Sequence, residues 1–199
     1  MPQTRAPAPA RASRDGFEVL DDCHRRTLEN LGKLDALVAR LTEFGADAQA
    51  RELAGEVFSF FSTVADQHHQ DEERHVFPKL LASGDDKLVQ AVLRLQQDHF
   101  WLAEDWLALA PQLDAVAAGQ AWIELETLRE TVEVFVALSH DHMELEELCV
   151  YPEARARLDL GDRREMGREM AARRRAHGRA HGRIRPDHLR PRRLRRGPA

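Results

Sequence analysis

The sequence predicts an all-α protein: an up-down-up-down antiparallel four-helix bundle with a disordered N-terminal leader and a basic C-terminal tail. Long segments of the chain are filled by Leu, Ala, Glu and Arg, which favour helices over strands. Glycine and proline are sparse and stand mainly between those segments. The 199 residues, 43% of them hydrophobic, suffice for one domain with a substantial core.

Start and stop signals divide the chain into four long helices. Asp15 is a candidate N-cap, and Glu18 completes a capping box with it. Pro78 is expected to perturb the end of the second helix. Short connections make neighbouring helices antiparallel. The predicted helices run from about Gly16 to Phe44, Ala46 to Ala82, Asp85 to Ala117 and Ala121 to Tyr151, with breaks at Gly45, at Ser83 and Gly84, and at Gly119.

Charge is distributed unevenly along the chain. Residues 173–199 contain eleven arginines and one acid, Asp187, so this segment carries +10 and residues 1–172 carry −15. We therefore divide the chain into a disordered leader (1–14), the bundle (15–160), and a short helix followed by an Arg-rich disordered tail (161–199). The tail lacks interleaved aromatic residues and any recognisable DNA-binding motif, so no specific nucleic-acid partner is expected.

The length of the apolar runs and the number of cysteines indicate the cellular compartment. No run approaches the roughly 20 apolar residues needed to cross a bilayer, and residues 1–13 lack the apolar stretch of a signal peptide. The sequence therefore predicts a cytoplasmic protein with no membrane partner. Cys23 and Cys149 are too few for a disulfide framework and are expected to be buried, reduced thiols.

Each predicted helix has one histidine that continues its apolar stripe and should therefore face the core. These histidines are His24, His68, His99 and His142. On the second helix, His68 with Glu72 lies on a more apolar stripe than His69 with Glu73. We expect His69, His75 and His140 to lie at the surface or to contact a metal ligand without binding the metal themselves. The stripes are Phe17, Leu20, His24, Leu28 and Leu31; Val57, Phe61, Val64, His68, Glu72 and Val76; Val92, Leu95, His99, Leu102 and Trp106; and Phe135, Leu138, His142, Glu146 and Cys149.

The spacing of these histidines predicts that they share one layer of the bundle. In antiparallel helices, two side chains reach the same height when the turn lies midway between them. The midpoints of 24 and 68, of 68 and 99, and of 99 and 142 are 46, 83.5 and 120.5, each at a predicted turn. Glu72 and Glu146 lie one helical turn further along their helices.

An internal repeat indicates two metal ions. Residues 68–78 (HHQDEERHVFP) and 142–152 (HMELEELCVYP) share H-x-x-x-E-E and close with an aromatic residue and Pro. Each helical hairpin thus offers one lone histidine and one His/Glu pair. Burying several ionisable groups without a compensating ion is costly, so the cluster predicts a metal site. Imidazole and carboxylate ligands suit iron, manganese or zinc, and bridging carboxylates favour two non-haem iron ions.

These residues resemble the hemerythrin-like, or HHE cation-binding, family over roughly residues 17–155. The resemblance rests on a histidine in the first and third helices and on H-x-x-x-E-E, closed by F-P or Y-P, in the second and fourth. It implies His24, His68, His99 and His142 as terminal iron ligands and Glu72 and Glu146 as bridges. A ferritin-like bundle would instead use Glu-x-x-His with i, i+3 spacing.

The chain departs from the oxygen-carrying hemerythrins at one position. They place a second histidine one turn after the third-helix ligand, where this chain has Ala103. Water, His75 or Glu104 are the candidates to take its place, or the position stays open for a small ligand.

The predicted function is binding of dioxygen or nitric oxide for sensing, storage or scavenging, in a mostly apolar pocket lined by Phe61, Leu95, Trp106 and Phe135. The alternative is a di-iron enzyme that acts on peroxide or nitric oxide or supports iron repair, since the missing ligand leaves a position open. That alternative adds an electron donor as a partner. A third hypothesis couples the metal domain to the basic tail as a contact for nucleic acid or an acidic partner.

Overall fold

A computed structural model describes residues 14–120 and 124–181, the last five of these by their backbone alone. Every regular element in this part of the chain is a helix, so the predicted all-α class is confirmed. The predicted leader up to residue 13 and the end of the tail from residue 182 lie outside the described residues. The helices are α1 (Gly16–Phe44), α2 (Ala48–Phe60), α3 (Asp66–His75), α4 (Phe77–Leu81), α5 (Asp86–Ala117), α6 (Leu125–Leu145), α7 (Tyr151–Arg157) and α8 (Leu160–His181), with π-helical segments at Phe61–Ala65 and Glu146–Val150.

Helix α1 begins and ends where the sequence predicts. The Asp15 carboxylate accepts a hydrogen bond of 2.9 Å from the backbone N–H of Phe17. The backbone N–H of Asp15 donates in return to Glu18, at 3.2 Å, which confirms the capping box. Gly45 follows the helix with a φ of 67°, a conformation that suits glycine at a helix end.

Four helical columns surround the core, and each corresponds to one predicted helix. The columns are α1, then α2 to α4, then α5, then α6 and α7. Helices α1 and α5 each pack against both α2 and α6, the neighbours that a four-helix bundle requires. In every column a predicted ligand lies between residues of two apolar clusters, one containing Leu34 and Leu109 and the other containing Leu20 and Leu95. The polar layer therefore crosses the middle of the bundle.

The second and fourth columns depart from regular α-helix. One π-helical segment precedes His68, and the other begins at Glu146. A π-helical turn contains an extra residue, so the side chains that follow it are rotated relative to a straight helix. As a result Val150 and Tyr151 are fully buried, whereas Cys149, predicted to lie on the inward stripe, is only half-buried.

Helix α8 corrects the prediction of a short helix followed at once by a disordered tail. It runs for 22 residues, reaches into the Arg-rich segment and packs on α1. Met166 and Met170 bury their side chains in the core. Gly167 permits the close packing, because a Cβ at this position would lie 2.0 Å from the carbonyl oxygen of Arg14. Two methionines give too weak an apolar pattern to be recognised from sequence. Within the described residues, no helix has both the length and the apolar character needed to span a membrane.

Candidate metal centre

The structure brings all six predicted ligands together in the polar layer. Each of the six is no more than 6% exposed. They form two groups, and within each group the ligand atoms lie within 4.8 Å of one another. Glu72 and Glu146 belong to both groups. The first group is His24, His68, Glu72 and Glu146, and the second is Glu72, His99, His142 and Glu146.

Both shared carboxylates reach across the two groups with one oxygen on each side. Glu146 places Oε2 3.1 Å from His24 Nε2 and Oε1 3.1 Å from His142 Nε2. Glu72 places Oε1 3.6 Å from His68 Nε2 and Oε2 3.4 Å from His99 Nε2. Each carboxylate therefore has the orientation of a bridge between two cations.

The spacing within the first group fits ligands of one ion. The Nε2 atoms of His24 and His68 lie 3.0 Å apart. Two ligand atoms about 2.1 Å from a common metal ion, at a right angle to each other, would be separated by about 3.0 Å. The two imidazoles are thus already as close as shared coordination requires.

Several of these polar atoms lack any hydrogen bond, which tests whether the residues fit a cation. Buried polar atoms are nearly always hydrogen-bonded, and leaving them unpaired is costly. Cations in both groups would satisfy the inward-facing atoms, so the residues present fit a two-ion centre. Among the described residues, the buried atoms without a hydrogen-bond partner include His68 Nδ1, Glu72 Oε2, His99 Nε2, both ring nitrogens of His142 and both carboxylate oxygens of Glu146.

The second glutamate of each H-x-x-x-E-E motif orients a histidine of the other hairpin. Glu147 Oε1 lies 2.9 Å from His24 Nδ1, and Glu73 Oε1 lies 2.9 Å from His99 Nδ1. A carboxylate accepts, so Nδ1–H donates and the Nε2 lone pair faces the centre. Sequence reasoning missed these two contacts, although the E-E doublet in both repeats was the signal for them.

The closing aromatic of each repeat stacks on the same two histidines. Tyr151 lies on His24, with ring centroids 5.2 Å apart and planes at 17°, and Phe77 lies on His99 at 5.5 Å and 20°. The Tyr151 hydroxyl also donates to Glu72 and lies 3.1 Å from His24 Nε2. This role of Tyr151 was not foreseen; the signal is that the two repeats differ by a hydroxyl at this position.

His69 lies half-buried beside the second group, within reach of both its predicted supporting role and direct coordination. Its ring stacks on His99 with centroids 4.0 Å apart, and the ligand atoms of His69, His99 and His142 lie within 4.8 Å of one another. The π-helical segment before α3 changes the helical phase, so His68 and its neighbour both reach the core. His69 is therefore a candidate to join His99 and His142 on one cation.

The other candidates for the missing ligand lie elsewhere. His75 faces α8, with Nε2 3.6 Å from a carboxylate oxygen of Glu169. Glu104 is exposed, and so is His140. Of the three histidines expected outside the centre, His69 alone among the described residues belongs to a candidate metal-binding group.

Burial and charge shift the protonation of the metal-free centre. Burial and the nearby Glu146 carboxylate raise the pKa of Glu72 to about 7. Burial opposes protonation of His142, but Glu146 and Asp98 outweigh it and raise the pKa of that imidazole to about 10. Burial holds the pKa of Tyr151 well above its usual value, with a further rise from Glu146 and Glu72, so its hydroxyl keeps the proton. A bound cation would compete with the protons on Glu72 and His142.

A cavity of about 590 Å³ opens beside His69, His99 and His142. Phe61, Trp106 and Phe135 line it, as predicted. The prediction was wrong for Leu95, which is buried in the apolar cluster on the other side of the polar layer. Ala103 also lines the cavity, so the position without the expected histidine widens the space beside the second group.

Comparison with known proteins identifies a cation-binding domain in the part of the chain that contains this centre. Residues 15–154 match the hemerythrin HHE cation binding domain. An uncharacterized protein of Haemophilus influenzae is 28% identical over 152 residues, which amount to 76% of this chain and 86% of that protein. The domain match includes all six predicted ligands and His69, and it ends before α8 begins.

Proposed function

The chain belongs to the hemerythrin HHE cation-binding domain family, and we propose that it binds dioxygen or nitric oxide at two non-haem iron ions. Its role would be sensing, storage or scavenging, in the cytoplasm. His24 and His68 would hold one ion and His69, His99 and His142 the other. Glu72 and Glu146 would bridge the pair.

The position of the two shared carboxylates is the observation that carries this proposal. Each of Glu72 and Glu146 directs one oxygen toward each histidine group, at 3.1 to 3.6 Å from the nearest imidazole nitrogen. A single cation could not use both oxygens of both carboxylates in this way. The arrangement therefore favours two adjacent ions over one.

The donor set and the proposed ligands together favour iron over manganese or zinc. Imidazole nitrogens and carboxylate oxygens suit all three metals. Paired bridging carboxylates are typical of di-iron and di-manganese centres, and non-haem iron is the one of these metals that supplies the chemistry of dioxygen. A thiolate ligand is disfavoured, because burial and the Glu72 charge raise the pKa of Cys23 to about 12 and keep it a thiol.

The side chains around the pair would hold and shield the ligand-binding position. Bound iron would supply the reversible electron transfer that capture of dioxygen or nitric oxide needs. Glu147 and Glu73 fix the tautomers of His24 and His99. The Tyr151 hydroxyl donates to Glu72 and so fixes the orientation of that carboxylate. Phe61, Trp106 and Phe135 would give the ligand an apolar wall beside the histidines.

Iron content and the absorption spectrum test the proposal. Protein reconstituted without oxygen should bind about two irons per chain and show charge-transfer bands that change on exposure to dioxygen or nitric oxide. His68→Ala should lose iron and these bands, whereas His140→Ala, which replaces an exposed histidine, should retain both. The proposal would be contradicted by a wild-type protein that takes up zinc but no iron. It would also be contradicted if the absorption spectrum of the iron-loaded protein changed with neither gas.

The cavity favours one alternative, a di-iron enzyme that acts on peroxide or nitric oxide or supports iron repair. Its volume of about 590 Å³ exceeds the needs of a diatomic ligand, since one water molecule occupies about 30 Å³ in the liquid. Reduction of hydrogen peroxide to two water molecules consumes two electrons and two protons, so this alternative requires an electron donor. Repeated turnover of peroxide by iron-loaded protein with a chemical reductant would favour the enzyme over the carrier.

A further inference from the structure

A second cavity, of about 670 Å³, lies where α8 packs on α1. Five arginines line it, and Asp22 is the one acidic residue among the described residues of its lining. The lining also includes the apolar or weakly polar side chains of Val19, Cys23 and Val64. We call this cavity the arginine pocket; its arginines are Arg14, Arg26, Arg168, Arg174 and Arg175.

The nearby carboxylates do not balance the charge of the arginine pocket. Asp22 already pairs with Arg25 outside the lining and lies 3.7 Å from Arg14. Arg174 donates to Asp71 at 3.0 Å. Burial, together with repulsion from Arg26 and Arg14, lowers the pKa of Arg174. Five guanidinium groups and one carboxylate thus line the described part of the pocket, and positive charge is in excess there.

From this arrangement we infer that the arginine pocket binds a small molecule carrying two phosphoryl groups. A guanidinium group offers paired donors that match phosphate oxygens, and all five cations of the lining are arginine. Arg168 and Arg175 are separated by two turns, about 10 Å along α8, whereas Arg14 precedes α1 and Arg26 lies within it. This separation suits two phosphoryl groups at opposite ends of one ligand. The volume also lies within the range of about 300–1,000 Å³ that is usual for small-molecule pockets.

The rest of the chain is a poor occupant for the arginine pocket. Residues 1–13 and 182–199 contain nine arginines and one acid, Asp187. Segments with this charge are repelled by a cluster of guanidinium groups, so a small anion suits the pocket better than either segment does. Arg174 also connects the pocket to the metal centre, because Asp71 precedes the shared carboxylate Glu72 on α3.

Calorimetric titration of the iron-loaded, full-length protein with fructose 1,6-bisphosphate tests the inference. Buffers should be free of phosphate, and inorganic phosphate serves as the comparison probe. The informative variant is Arg168→Ala with Arg175→Ala, because both side chains are exposed and their loss removes no core packing. The matched control is Arg51→Ala with Arg129→Ala, which removes the same charge from exposed positions at the other end of the bundle.

We expect one bisphosphate to bind per chain, more tightly than inorganic phosphate. The Kd should rise at least tenfold in the Arg168/Arg175 variant and stay within twofold in the control. Replacing the same two arginines by lysine should give an intermediate Kd, since the charge remains but the paired donors are lost. Iron content must stay at the wild-type value throughout, which separates a lost pocket from a lost fold. Equal affinities in all variants would overturn the inference, as would binding of oligonucleotides in proportion to their length without binding of the bisphosphate.

Discussion

His69 and His99 lie face to face, with ring centroids 4.0 Å apart and ring planes 14° apart. Both imidazoles are within reach of His142, and the three ligand atoms could hold one ion. The column that supplies His69 also supplies His68 to the other group. One π-helical segment thus precedes two adjacent residues of the chain that belong to different candidate metal-binding groups.

Replacing His69 should remove one ion and spare the other. We expect His69→Ala to lower the iron content from about two to about one per chain, because the second group loses one of its three histidines while the first keeps His24 and His68. Iron determination on protein loaded without oxygen measures this directly. His140→Ala is the control, and a His69→Ala protein that still binds two irons would show that this side chain is not a ligand.

The carboxylates of Glu147 and Glu73 should each affect the metal affinity of one of the two groups. Glu147→Ala removes the acceptor of His24, and Glu73→Ala removes the acceptor of His99. Loss of such a partner typically weakens metal affinity about 10- to 100-fold. Competition with a chelator should therefore show one weakened site in each single variant and two in the double variant. Glu133→Ala, at an exposed position of α6, should match the wild type; a uniform loss across all variants would argue against separate control of the ions.

Much of the centre could be predicted because two independent patterns agree. Helical phase gives the direction of a side chain, and the distance along the chain to a turn gives its height. Together they place His24, His68, His99 and His142 in one layer. Phase alone does not show whether a neighbouring helix covers that height, and Leu28 is accordingly 44% exposed although it continues the stripe of His24.

The missed features share a different physical origin. A π-helical turn leaves no clear mark in composition, so the inward rotation of His69 and Tyr151 could not be read from a regular period. The length of α8 was underestimated because only Met166 and Met170 mark its buried side, while contacts such as Arg173 with Asp71 are polar. The contact between Arg173 and Asp71 joins residues 102 positions apart, and such a pair has no signature in a single sequence.

Helix α8 should contribute to stability through its ion pairs with Asp71. This carboxylate is 2% exposed and accepts from both Arg173 and Arg174. We expect Arg173→Ala with Arg174→Ala to lower the free energy of unfolding by about 1–3 kcal/mol, since a buried carboxylate would lose its partners while the partly exposed arginines temper the effect. Urea unfolding of the metal-free protein measures the loss.

Two deletions separate the contribution of the ion pairs to stability from that of the tail. Deleting residues 182–199 should leave the unfolding midpoint unchanged, whereas deleting residues 173–199 should lower it, because the longer deletion also removes Arg173 and Arg174. Asp71→Asn should restore part of the stability lost in the double arginine variant, because the unpaired charge is then removed. Full additivity of the losses would show that these residues do not interact.

Metal binding should release protons, and more of them at pH 6 than at pH 8. A metal ligand must give up its proton, and in the metal-free protein the pKa of His142 is about 10 and that of Glu72 about 7. At pH 8 the imidazole still carries its proton while most of the carboxylate does not; at pH 6 both groups are protonated. Affinity should therefore fall as the pH is lowered, by about tenfold per unit for each proton displaced. Calorimetric titration with Zn²⁺, a redox-inert probe, in buffers of different ionisation enthalpy counts the protons. His142→Ala should release fewer than the wild type and His140→Ala the same number, and a heat of binding independent of the buffer would contradict the assignment of these groups to the centre.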